Sequence, residues 1–208
     1  MTPPNLQAID LSCIRQQRTL FANLFFALQS GDIILVEGEN GSGKSSLLRL
    51  LVGLASPSNG CIHWQGNAIE SSRDEYHKQL HYLSHTNGIK LGLTVWENVQ
   101  LAGHLSFSPI NDHADNVLEQ FGLSAYKHTL AKYLSSGQQR KLALIRLFLF
   151  SKPLWVLDEP CTSLDAASQA LFLSLLATHL QQGGMCVMSA HHAVAFQHVT
   201  PTVLRLSA

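Results

Sequence analysis

Residues 31–54 read GDIILVEGENGSGKSSLLRLLVGL, and this stretch decides the fold. The apolar run Ile33–Val36, set between Gly31 and Gly38, predicts a buried strand. From Gly43 onward the pattern predicts a helix, entered from a glycine loop and ended by the turn cluster SPSNG at 56–60. Between strand and helix stand Gly38, four residues, then Gly43-Lys44-Ser45, the spacing of a phosphate-binding loop. Glycines there let backbone N–H groups curve around an anion with no Cβ in the way. The helix start adds roughly half a positive charge from its dipole. Residues Gly38, Glu39, Asn40, Gly41, Ser42, Gly43, Lys44, Ser45 and Ser46 are thus the expected cradle. Lys44 is expected to reach the β- and γ-phosphates of a nucleotide such as ATP, and the Ser45 hydroxyl to hold Mg2+. A glycine turn that only caps a helix is the plain alternative, and the flanking strand and helix weigh against it.

Outward from the loop, LQAIDLSCI (6–14) alternates as an edge strand does, and LFFALQ (24–29) reads as the strand before Ser30-Gly31. CIHWQG (61–66) and LHYLSH (80–85) read as short strands. From about Thr94 to Phe150 the pattern is mostly helical, broken at SFSP and YLSSG. LWVLDEP (154–160) and MCVMSAHH (185–192) read as buried strands, and AASQALFLSLLATHLQQGG (166–184) as a helix stopped by glycine. Strands alternating with helices around apolar runs indicate an α/β core with a parallel sheet, and the helical middle reads as an insertion.

Composition bounds the partners. The chain of 208 residues fits one domain, with 46% hydrophobic and only 13% charged residues. So thin a charged surface leans toward a partner that covers part of it. Fourteen basic residues balance fourteen acidic ones, so no nucleic-acid partner is expected. Cys13, Cys61, Cys161 and Cys186 form no C-x-x-C spacing, against a zinc or disulfide framework and in favour of a reduced compartment. MTPPNLQAIDLSC has no secretory pattern. LALIRLFLFSKPLWVL (142–157) is broken by Arg146, Lys152 and Pro153 and is too interrupted to span a bilayer. Membrane contact is therefore expected through partners only.

The strand LWVLDEP ends in Asp158, which places a carboxylate at the sheet edge where open α/β folds bind ligands. Asp158 is expected to hold Mg2+, directly or through water, and Glu159 to polarise an attacking water.

YLSSGQQRK (133–141) resembles the LSGGQ signature of the ATP-binding cassette (ABC) family, with Ser136 in place of the first glycine. TSLD (162–165) and MSAHH (188–192) are similar to that family's D-loop and switch strand, in the family's order. The resemblance implies a P-loop NTPase fold of α/β class: an ABC-type ATPase core with an antiparallel β edge and an inserted helical subdomain. It implies a single nucleotide-binding domain over 1–208, with the helical subdomain at about 87–150. It also implies an ATPase in which a second copy of the chain completes two ATP sites. Ser135 and Gly137 of one copy would meet the γ-phosphate held by the other. His191 would contact that phosphate and the attacking water, and Asp165 would communicate across the dimer. The family stacks an aromatic ring on adenine; CIRQQRTL (13–20) has none, and Arg15 stands near that place. His85 occupies the position of the family's glutamine that touches magnesium and water, ahead of the loop that meets the membrane subunit.

His85 followed by Gly88-Ile89-Lys90 and LTVWENV (93–99) resembles, more narrowly, the haem-exporter ATPases of cytochrome c biogenesis. That subgroup implies a peripheral subunit on the cytoplasmic face of a bacterial inner membrane. Its partners would be the membrane subunit CcmB, with CcmC, CcmD and the haem chaperone CcmE. Release of haem-loaded CcmE would be the work powered by ATP. The other reading is a cassette ATPase for a different small-substrate exporter. Eleven histidines do not argue for bound haem, because no C-x-x-C-H occurs.

Overall fold

Three short runs, apolar up to their last residue and each too short for a helix, form the middle of the larger sheet. In a computed structural model, described for residues 5–106, 110, 113–190, 196 and 199–206, they are β3 (Ile33–Glu37), β7 (Leu154–Asp158) and β8 (Met185–Ser189). With β6 (Leu80–Leu83) and β9 (Thr202–Arg205) they make a five-stranded sheet in the order β6-β7-β8-β3-β9. The β7–β8, β8–β3 and β3–β9 pairs are parallel.

A second, antiparallel sheet has the order β2-β1-β4-β5. It comprises β1 (Leu6–Arg15), β2 (Arg18–Leu28), β4 (Asn59–Trp64) and β5 (Asn67–Ala68). Helix α1 (Lys44–Leu51) buries Leu47, Leu48, Leu50 and Leu51 in one cluster. That cluster joins Leu6, Leu11, Phe21 and Ile62 of this sheet to Ile34, Val36, Val156 and Val187 of the other.

Backbone contacts divide the chain into two compact units. One comprises Met1–Tyr82, Lys152–Glu159 and Leu176–Ala208, and the other Leu83–Ser151 and Pro160–Leu175. The second is helical: α3 (Val95–Leu105), α4 (His113–Gln120) and α5 (Ser136–Leu149). Phe121 meets Phe148 edge to face at 4.8 Å. Helices α3 and α5 both open with reciprocal capping, Thr94 with Glu97 and Ser135 with Gln138. Helix α6 runs Ala166–Gln181.

Two elements escape the sequence pattern. Helix α2 (Arg73–Lys78) has charged residues all along it and a single buried side chain, Tyr76, so no period is visible. Tyr76 packs on Trp64 at 5.6 Å between ring centres and donates to the Leu51 carbonyl at 2.7 Å. Strand β9 is mostly exposed and is a strand because it pairs with β3. Strand β2 also starts at Arg18, earlier than the apolar run at Leu24. All four cysteines are free thiols, and no described helix is long and apolar enough to cross a membrane.

Candidate functional site: the phosphate loop and the carboxylate edge

Strand β3 delivers the chain to the phosphate loop and α1 carries it away. Gly43, at φ +101°, is the N-cap of α1, a left-handed conformation that a side chain would strain. Lys44 is buried, and its Nζ donates to the Gly38 carbonyl at 2.6 Å and the Glu39 carbonyl at 3.0 Å. The ammonium thereby draws the loop into a ring around itself. A cavity of about 210 Å³ opens there, lined by Asn40, Gly41, Gly43, Lys44, Ser45 and Ser46 of the loop, with Leu20 and Glu159. Ser42 is buried, and its Oγ makes no hydrogen bond to a described residue.

Leu20 lines this cavity from β2, whereas Arg15 is exposed at the end of β1 and is not among the lining residues. An apolar contact from β2 has no sequence signal beyond its distance from the loop.

Asp158 ends β7, 2% exposed. Its Oδ1 accepts from the Ser189 hydroxyl at 2.6 Å, and the Glu159 N–H donates to the same Ser189 Oγ at 3.1 Å. Glu159 has φ +48°, so the chain leaves the strand through a left-handed residue at the one position where the cavity meets a carboxylate. Hard oxygen donors of this kind, the Ser45 hydroxyl and the Asp158 carboxylate, suit Mg2+, which binds by one or two protein oxygens together with phosphates.

The second unit holds Ser135, Gly137, Asp165 and His85 of the predicted site. Ser135 is the exposed N-cap of α5; its Oγ accepts from the Gln138 N–H at 3.2 Å, which leaves its own proton to donate. Ser136 has no positive φ, so the glycine usual there is not required by the backbone. Gly137 is different: a Cβ there would lie 2.8 Å from the Ser163 carbonyl oxygen. Lys141 pairs with Asp165 at 2.6 Å, and the Ser168 N–H also donates to Asp165 at 2.8 Å. The hydrogen bond from Lys141 and the two from Ser168 lower the Asp165 carboxyl to about 2.

His85 is exposed in the loop after β6, and the residues around it are pinned from inside this unit. Buried Arg140 donates to the Ser84 carbonyl at 3.0 Å, the Asn87 side chain at 3.1 Å and the Pro160 carbonyl at 3.3 Å. Asn98, also buried, accepts from the Lys90 N–H at 2.7 Å and donates to the Lys90, Leu93 and Thr94 carbonyls. Arg146 lies near Arg140, its guanidinium lowered to about 10 by burial and then by that neighbouring charge. His191, with His192, lies outside the described residues.

A family model described as ABC transporter matches residues 21–162, more than half of the chain. The chain belongs to the ABC transporter family. The cassette is a P-loop ATPase of α/β class that binds ATP and hydrolyses it. Among its relatives is the Cytochrome c biogenesis ATP-binding export protein CcmA of Dechloromonas aromatica, 44% identical and covering 97% of this chain and 99% of that one. The protein of the same name from Haemophilus influenzae is 41% identical, over 91% and 90%. Among solved structures, a putative ABC transporter ATP-binding protein from Pyrococcus furiosus matches with a TM-score of 0.81 at 21% identity, over 97% and 96% of the chains. The cassette MJ0796, solved as a dimer in a post-hydrolysis state with ADP and Pi, matches at 0.78 and 20% identity, over 90% and 88%. At these identities the two structures establish the fold.

Sequence reading missed Ser189, Asn98, Arg140 and Leu20. The first three are buried polar groups whose partners are brought to them by folding, and nothing local marks them.

Proposed function

We propose that this cassette is the ATP-hydrolysing subunit of a haem-handling export complex in cytochrome c maturation. The observation that carries this is the near full-length identity to proteins named for cytochrome c biogenesis and export. The cassette would act as a peripheral subunit at the cytoplasmic face of the inner membrane, through CcmB with CcmC, CcmD and the chaperone CcmE. Both compact units would form one nucleotide-binding domain, with residues 87–150 as its helical subdomain.

The loop N–H groups from Gly38 to Ser46 and the Lys44 ammonium would hold the ATP phosphates. Phosphate oxygens would take over the ammonium's hydrogen bonds to the Gly38 and Glu39 carbonyls. Ser45 and Asp158 would hold Mg2+, which when bound supplies Lewis-acid polarisation of the phosphoryl oxygens. Glu159 would take the proton of the attacking water, aided by His191 and by His85 in the glutamine's place. Ser135 and Gly137 of a second copy would close on the γ-phosphate, with Asp165 relaying between copies. Arg15 would lie against the adenine from the end of β1.

The test is Glu159→Gln expressed with CcmB, CcmC, CcmD and CcmE. Haem-loaded CcmE should stay trapped on the complex, and wild-type cassette with ATP should release it. Normal release by the variant would assign the cassette to another small-substrate exporter or another step.

A further inference from the structure

Strand β8 is central in its sheet, and its last residue, Ser189, faces Asp158 across β7 and Val36 across β3. Ser189 is wholly buried. Its single hydroxyl makes two hydrogen bonds of opposite sense, to consecutive residues of the neighbouring strand end. It donates to Asp158 Oδ1 at 2.6 Å and accepts the Glu159 N–H at 3.1 Å. The first bond holds the Asp158 carboxylate from the neighbouring strand. The second holds the peptide of a residue at φ +48°, where a non-glycine residue is held against its preference. Few side chains can serve both bonds in that space. Alanine serves neither, and a carboxylate could not donate.

We propose that Ser189 is a positioning residue of the hydrolytic site, setting the Asp158 carboxylate and the Glu159 backbone through one hydroxyl. This rests on the reading of Asp158 as the magnesium ligand and Glu159 as the base. Metal affinity and the hydrolytic step are then linked through a wholly buried residue that is not among those lining the cavity. Groups that orient a ligating carboxylate in this way typically contribute roughly 10- to 100-fold to metal affinity or turnover.

The experiment titrates Mn2+ into the protein with ADP, so that no turnover intervenes, and reads bound Mn2+ by electron paramagnetic resonance. ADP affinity without divalent metal and the melting temperature are measured beside it. Ser189→Ala should weaken Mn2+ binding roughly 10-fold or more, leave metal-free ADP affinity unchanged, and lower kcat with KM for ATP little altered. Ser189→Thr, which keeps the hydroxyl, should restore both metal binding and kcat. Equal losses of metal-free and metal-dependent ADP binding in Ser189→Ala would mean a structural role only, and would overturn the proposal. Should Ser189→Ala fail to fold, Ser189→Cys against Ser189→Thr decides: equal Mn2+ affinities overturn it. Asp158→Asn separates the two readings. If it weakens Mn2+ binding and Ser189→Ala does not, the inference about Ser189 falls alone. If Asp158→Asn binds Mn2+ normally, the assignment of the metal ligand falls and takes this inference with it.

Discussion

Arg140 Nη1 donates to Asn87 Oδ1 at 3.1 Å, so a side chain of the signature helix holds the loop that follows His85. The same guanidinium reaches the Ser84 and Pro160 carbonyls. Asn87→Ala removes an acceptor from a buried cation and should destabilise the protein by about 1–3 kcal/mol. Asn87→Asp, which supplies a charged acceptor, should be closer to wild type. Denaturant unfolding of the three proteins checks this, and equal stability of Asn87→Ala and wild type would refute it.

Lys44 should be the residue whose loss most weakens nucleotide binding. Hydrogen bonds to charged groups contribute about 1.5–3 kcal/mol. Lys44→Ala should therefore reduce ATP affinity by roughly ten- to a hundredfold, at 1.4 kcal/mol per tenfold. Isothermal titration with ATP measures it directly.

The two positions of the signature turn should respond oppositely. Gly137→Ala places a methyl 2.8 Å from the Ser163 carbonyl and should cost about 1–3 kcal/mol as the turn shifts to admit it. Ser136→Ala meets no such constraint and should melt within about 0.5 kcal/mol of wild type. Thermal unfolding of both variants decides, and similar losses would remove the steric explanation.

How much of this was legible beforehand follows from the range of the constraint. The phosphate loop could be read because its residue types are required at neighbouring positions. The strands β3, β7 and β8 could be read because each is buried on both faces and apolar up to its last residue. Asp158 and Glu159 were legible as the end of such a strand. Ser189 was not, because its partners lie 30 and 31 residues away and only the β7–β8 register brings them together. Asn98 carries no local signal; its four bonds form only once the Lys90 turn folds back onto α3. Strand β9 has no apolar run of its own and exists through its neighbour.

His179 gives unit one a pH-dependent stability. Its ring stacks on Trp155 at 3.9 Å, its Nε2–H donates to the Met185 carbonyl at 3.2 Å, and burial, opposed by that bond, lowers its pKa below the usual 6.5. The unfolded chain then binds more protons than the folded one just below pH 6.5. Stability is complete above that pH and declines as pH falls toward the folded-state value. Unfolding at pH 8 and pH 5.5 should show the decline in wild type and a smaller one in His179→Phe. An equal decline in both would assign it to other groups.

The stack also makes the protein its own optical probe. Trp155 lies in β7, in the strand that ends at Asp158, with an imidazole plane nearly parallel to it at 8°. A protonated imidazole quenches indole emission by accepting an electron from the excited ring, whereas a neutral one does so weakly. The fluorescence of Trp155 therefore carries a readout of the charge on His179 from inside the sheet that presents the carboxylates, with no dye attached.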